Sequence, residues 1–193
     1  MAQAITELAN AFPTAVRKDA LIAISELPEP FLEAHEQFSV IVAGEIVSIP
    51  SRVYYDPAQI DGLRLTSLQK ELVDCLLTRH HNGWVRQKHL ERIVRSANFW
   101  IPPFVIQLVG EYVIEILHVI HNNLSNLNAA AYEQFVRSNP QFIALTEQRV
   151  MSYWNQDHRR PAWGRSVIYG RDEYVGFQLL KFFKGLARNG APT

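Results

Sequence analysis

Thr66-Ser-Leu-Gln-Lys-Glu-Leu-Val-Asp-Cys-Leu-Leu-Thr-Arg-His80, followed by His81 and Asn82-Gly83-Trp84-Val85-Arg86, is the stretch that decides the fold. Thr66 and Gln69 have the spacing of a capping box, which opens a helix over 66–80. Leu68, Leu72, Val73, Cys75 and Leu76 fall on one stripe, as a helix facing a core requires. Asn82-Gly83 ends it, since both residues tolerate positive φ. A second helix then runs from 84 to 96, burying Val85, Leu90, Ile93 and Val94.

The same 3.6-residue rhythm extends outward in both directions. It predicts helices at 3–12 and 14–26, broken by Pro13, and at 103–122, opened by Pro102-Pro103 where a missing donor does no harm. Further helices are expected at 129–138, 141–156 and 172–187. From Phe31 to Ile49 the apolar positions follow a helical rhythm, although Val40-Ile41-Val42 leaves a strand open and Gly44 weakens a helix. Residues 50–61 read as an irregular connection. The expected class is all-α: one multi-helix bundle over 1–193 with about seven or eight helices. It divides into an acidic segment at 1–61, central helices at 62–128, and C-terminal helices at 129–193 with an arginine and tryptophan loop at 154–171.

Composition narrows the function classes. The chain has 193 residues, 48% hydrophobic, with nineteen basic and nineteen acidic side chains. Zero net charge excludes a uniformly basic nucleic-acid binder. The total hides a split: residues 1–61 carry nine acids and three bases (−6), and residues 62–193 ten acids and sixteen bases (+6). A single cysteine, Cys75, excludes an internal disulfide and multi-cysteine zinc sites. Glu7 stands where a signal peptide would be basic, and Ser96–Gly110 is too short to span a bilayer. A cytoplasmic protein without a membrane role is expected.

The turn Asn82-Gly83 before Val85-Arg86, with Leu90 and Ile93-Val94 following, resembles the second-helix signature of a HEAT-like α-helical repeat. The resemblance covers about residues 66–122 and makes 66–80 the first helix of a pair, with Pro103 opening the next unit. It implies stacked α-hairpins and a surface that binds protein, not a reaction. An ordinary helical bundle is the alternative.

Three constellations carry chemistry. On 103–122, Gln107, Glu111, Glu115, His118 and Asn122 share one helix face. Glu115-Ile-Leu-His118 has the Glu-x-x-His spacing of di-iron bundles, which makes Glu111, Glu115 and His118 candidate metal ligands. His121 lies off that stripe, a second copy of the motif is missing, and a solvated strip is the plainer reading. On the second helix and the turn before it, Arg79, His80, His81, Arg86, Lys88, His89, Arg92 and Arg95 are opposed only by Glu91. Arg86, Lys88, Arg92 and Arg95 are candidate anion contacts. A DNA-reading helix–turn–helix fits poorly, because Arg79 and His89 occupy positions that need small or branched packing residues. In the loop, Trp154, Arg159, Arg160, Trp163 and Arg165, with Tyr169 and Arg171 beyond them, suit a base, phosphate or carboxylate.

Cys75 reads as core, and Asp157-His158, as chain neighbours, make no dyad by adjacency alone. No catalytic triad order, phosphate-cradling loop or dinucleotide fingerprint is present, and no cofactor is implied. The leading expectation is a non-enzymatic protein-interaction module whose partner is another protein or a second copy of the chain. A small-molecule or metal enzyme built on Glu111, Glu115 and His118 is the alternative. Nucleic-acid or anion binding through 79–95 is the third reading, with nucleic acid disfavoured.

Overall fold

The computed structural model describes residues 2–34, 36–158 and 169–189, and its class is mostly α. Among the described residues there are ten α-helices: α1 (Ala2–Ala9), α2 (Thr14–Ser25), α3 (Pro57–Ile60), α4 (Ser67–Leu77), α5 (Gly83–Ile93), α6 (Pro102–Val109), α7 (Ile114–His121), α8 (Ala129–Ser138), α9 (Pro140–Tyr153) and α10 (Val175–Asn189). One small sheet, β1 (Gln37–Val42) with β2 (Glu45–Pro50), interrupts them. No helix among the described residues is long and apolar enough to cross a membrane.

The capping box at the start of α4 forms in both halves, Gln69 N–H to Thr66 Oγ1 at 3.2 Å and Thr66 N–H to Gln69 Oε1 at 3.1 Å. Asn82 then caps α5, its Oδ1 accepting from Trp84 N–H at 2.9 Å. The two helices pack against each other, and α5 packs on α7. Every residue of α6 is buried, so this helix has neighbours all round, as its unbroken apolar sequence demands. Phe12 stacks on Phe104 of α6 at 5.4 Å, and Tyr132 of α8 stacks on Phe183 of α10 at 5.5 Å. Strand residues Val40, Val42, Val47 and Ile49 join the same core.

The segment 37–50 corrects the expected helical rhythm. It is an antiparallel hairpin whose inward residues alternate, with Ile41 and Ile46 paired across the strands on the outside. Because those two outward positions are also apolar, the period of two is disguised in the sequence. Ala43 and Gly44 take positive φ, 50° and 86°, the conformation of a two-residue hairpin turn. The hairpin is pinned by Asn139, whose side chain bonds both backbone groups of Ile41, at 2.7 and 2.8 Å, and also the Phe135 carbonyl at 2.8 Å.

The expected single helix at 103–122 is likewise corrected. It breaks after Val109 into α6 and α7, around Gly110. A Cβ on Gly110 would lie 3.2 Å from Arg149 Cβ and Cδ, a tight approach that favours glycine where the chain turns beside α9. Glu111 therefore leaves the face expected to hold Gln107, Glu115, His118 and Asn122. This break and the short α3 raise the helix count above seven or eight. At the far end, α9 continues as one π turn, Trp154–His158. Arg159, Arg160, Trp163 and Arg165 lie outside the described residues.

Asn139→Ala removes two hydrogen bonds that tie the end of α8 to the hairpin and a third back to Phe135 within α8. At roughly 1 kcal/mol each, the variant is expected to lose about 2–3 kcal/mol in urea unfolding. An undisturbed midpoint would mean that core packing alone seats the hairpin.

Candidate functional site

Four chain segments meet at the end of the α4–α5 pair. Residues 51–55 run alongside the α4–α5 turn as a parallel bridge between Val53 and His80. Val53 N–H donates to the Arg79 carbonyl at 3.0 Å, and His81 N–H donates to the Val53 carbonyl at 3.1 Å. That bridge brings Arg52 over the α6–α7 turn, which carries Glu111.

Glu111 is buried and meets three guanidinium groups. Arg52 Nη2 spans both carboxylate oxygens at 3.0 and 3.1 Å. Arg79 Nη2 lies 3.4 Å from Oε1, and Arg86 Nη2 lies 3.4 Å from Oε2. Arg79 and Arg86 are 0% and 1% exposed, whereas Arg52, at 33%, carries the cluster to the surface. One carboxylate thus faces three cations, and backbone carbonyls take up the rest. Ser51 O accepts from Arg79 at 3.0 Å and from Arg52 at 2.9 Å. His80 O and His81 O accept from Arg86 Nη1, both at 2.9 Å. The Nε atoms of Arg79 and Arg86 remain buried without an acceptor. Burial pulls the Arg79 guanidinium down to about 9, against the opposing pull of Glu111, which leaves it charged at neutral pH.

Next to the cluster, His80 is buried with both ring nitrogens assigned by their partners. Its Nδ1 accepts from Asn82 N–H at 3.1 Å, so Nε2 carries the proton and donates to Tyr55 O at 2.9 Å. Burial lowers its pKa below the ordinary histidine value.

The outer side of the turn is aromatic. Phe31 lies edge-on to Tyr54 and His81, and Tyr54 stacks on His81 at 5.4 Å. On the far side of the turn, Gly83, Trp84, Gln87, Tyr112, Val113 and Glu115 line an open cleft of about 230 Å³. Trp84 is 74% and Tyr112 47% exposed, and Tyr112 leans on Tyr153 of α9 at 5.9 Å. A Cβ on Gly83 would sit 3.3 Å from Val113 Cγ2, a tight approach, and 3.6 Å from Arg86 Nη2, an ordinary contact.

The residues expected to act together are distributed differently. Arg86 is buried in the cluster. Lys88 pairs with Asp61 at 3.1 Å, and its hydrogen bond holds that carboxyl below its usual pKa. Arg92 and the buried His89 share Asp74, at 3.1 and 2.5 Å, and Arg95 donates to Asn123 Oδ1 at 2.8 Å. Glu111 is engaged by arginines, while Glu115 and His118 are exposed on α7. Among the described residues, no group of three His, Cys, Asp or Glu side chains converges as metal ligands would. Trp154 donates to the Tyr169 carbonyl at 3.0 Å and meets Phe177 edge-on. Cys75 is fully buried, and burial pushes its thiol well up, away from thiolate chemistry. Sequence reading missed Arg52 and Tyr112. A usable signal was Arg79 directly after Leu76-Leu77-Thr78: a cation at the end of a core stripe needs a buried carboxylate.

Glu111→Ala leaves two buried guanidiniums without their counter-ion and is expected to destabilise by about 3–5 kcal/mol. Arg52→Ala, at the exposed edge, is expected to cost about 1 kcal/mol or less. Equal losses in urea unfolding would contradict this burial order. Stability should also fall with acid below about pH 6.5, because the unfolded chain protonates His80 before the folded chain does. His80→Gln should show a shallower fall in urea midpoint between pH 7.5 and 5.5, and parallel curves would remove His80 from that dependence.

Compared with protein-family models, with curated proteins and with solved structures, the chain matches none.

Proposed function

We propose that this chain is a cytoplasmic protein-interaction module rather than an enzyme, and that it engages its partner through the aromatic surface around the α4–α5 turn. The observation that carries the reading is the exposure of Trp84 and Tyr112 in one cleft whose floor is tied to a buried ion cluster. Large aromatic rings held rigidly at a surface lose little entropy on binding and supply most of the energy at protein interfaces. The cleft volume of about 230 Å³ supports the same reading. It falls below the roughly 300–1,000 Å³ of sites that enclose a small molecule, and it suits one inserted side chain. Packing of α4 on α5, α5 on α7 and α6 on α7 supports a HEAT-like stacking over 66–122. The hairpin and α10 fall outside that pattern.

The partner is another protein or a second copy of the chain, and two measurements separate them. Trp84→Ala and Tyr112→Ala are expected to reduce co-purification of a partner from cell extract by tenfold or more. If the partner is a second copy, they shift sedimentation of the purified chain toward the monomer. Leu145→Ala, exposed on α9, serves as a control that changes neither. Unchanged co-purification together with unchanged sedimentation in both aromatic variants would overturn the proposal.

A further inference from the structure

We infer that the Trp84–Tyr112 cleft receives a basic side chain, arginine or lysine, from the partner protein; this rests on the interaction reading above and adds the chemistry of what enters. The lining includes two exposed aromatic residues, Gln87, whose amide also donates to Glu91, and one carboxylate, Glu115. Among the described residues Glu115 makes no ion pair and is exposed. An aromatic face attracts a cation through its quadrupole, and a carboxylate at the rim can accept the N–H groups of a guanidinium or ammonium. No cation belongs to the lining.

The buried cluster beneath the cleft is the strongest argument for a ligand of the opposite sign, since it holds three guanidiniums against one carboxylate. Its geometry turns that excess inward. Arg86, the member nearest the cleft floor, gives Nη1 to the His80 and His81 carbonyls and Nη2 to Glu111. Arg79 is fully buried, and Arg52, which does reach solvent, is not part of the lining. Arg149, which packs against Gly110, is not part of the lining either. Coulomb energies fall with distance, and a ligand in contact with Glu115 meets that charge first. Glu26, Glu29, Glu33 and Glu36 are exposed as well and form no ion pair among the described residues.

The test uses the full chain labelled with ¹⁵N and three peptides, Ac-Gly-Xaa-Gly-Xaa-Gly-amide, with Xaa arginine, citrulline or glutamate. Trp84→Phe identifies the indole N–H signal of Trp84. The arginine peptide is expected to shift that signal saturably and to leave the buried Trp100 signal in place. Citrulline keeps the shape and loses the charge, so its binding should be at least fivefold weaker. Glu115→Gln should bring arginine binding down to the citrulline level while leaving the fold unchanged by circular dichroism. No titration by the arginine peptide, equal or tighter binding of the glutamate peptide, or unaltered arginine binding in Glu115→Gln would overturn the inference. Any of these results alongside loss of co-purification in Trp84→Ala would leave the interaction reading standing and remove only the basic side chain.

Discussion

The carboxylate of Glu111 is the constraint on which the rest of this end of the molecule depends. It bonds guanidinium groups from the residues after β2, from the end of α4 and from the first turn of α5, while sitting itself on the break between α6 and α7. A buried ion cluster is weak evidence for stability, because desolvating four charges consumes much of the attraction gained. Its stronger consequence is geometric. The guanidiniums also bind backbone carbonyls, Arg52 and Arg79 that of Ser51 and Arg86 those of His80 and His81, which ties the α4–α5 turn to the Arg52 segment and, through Glu111, to the start of α7. The cleft inherits that order: Trp84 and Tyr112 are next in sequence to Gly83 and Glu111, two positions the cluster holds.

Helices whose stripe and caps lie within a single stretch of chain were legible from sequence. The Thr66–Gln69 box, the Asn82 cap and the span 129–138 all depend on residues a few positions apart. What failed depended on distant partners. At the break, Gly110 sits against Arg149, some forty residues later, and Glu111 pairs with Arg52, Arg79 and Arg86. The hairpin at 37–50 was disguised because Ile41 and Ile46 satisfy each other across the strands rather than alternating with polar residues. At the candidate site, Glu111 and Glu115 were singled out together as a metal stripe and Arg86 apart from them as an anion contact, whereas Arg86 pairs with Glu111. Arg52, which completes the cluster, sits in a connection with no periodicity to read.

The charge split along the chain also changes meaning in three dimensions. An acidic first third against a basic remainder suggests pairing between the two, and Asp61 with Lys88 and Arg92 does that. The buried cluster crosses in the opposite sense, taking its exposed cation, Arg52, from the acidic third and its carboxylate from the basic remainder. Of the cations at 79–95, Arg79 and Arg86 are buried, while Lys88 and Arg92 at the surface pair with Asp61 and Asp74 and Arg95 bonds Asn123; Glu26, Glu29, Glu33 and Glu36 are exposed. Zero net charge is thus compatible with a locally acidic face.

That arrangement bears on why so much positive charge should be buried beneath an aromatic surface. Lysine or leucine in place of Arg79 or Arg86 would lose the planar fork that reaches a carboxylate and a carbonyl at once. A multidentate donor suits the α4–α5 turn, where the His80 and His81 carbonyls both accept from Arg86 Nη1. A turn so locked holds the backbone that carries Trp84, which lowers the ordering cost of the proposed contact. The burial of arginine and the exposure of tryptophan, opposite departures from the usual distribution of residues, are then two sides of one construction. The charged cluster inside supplies the rigidity that an exposed aromatic contact requires.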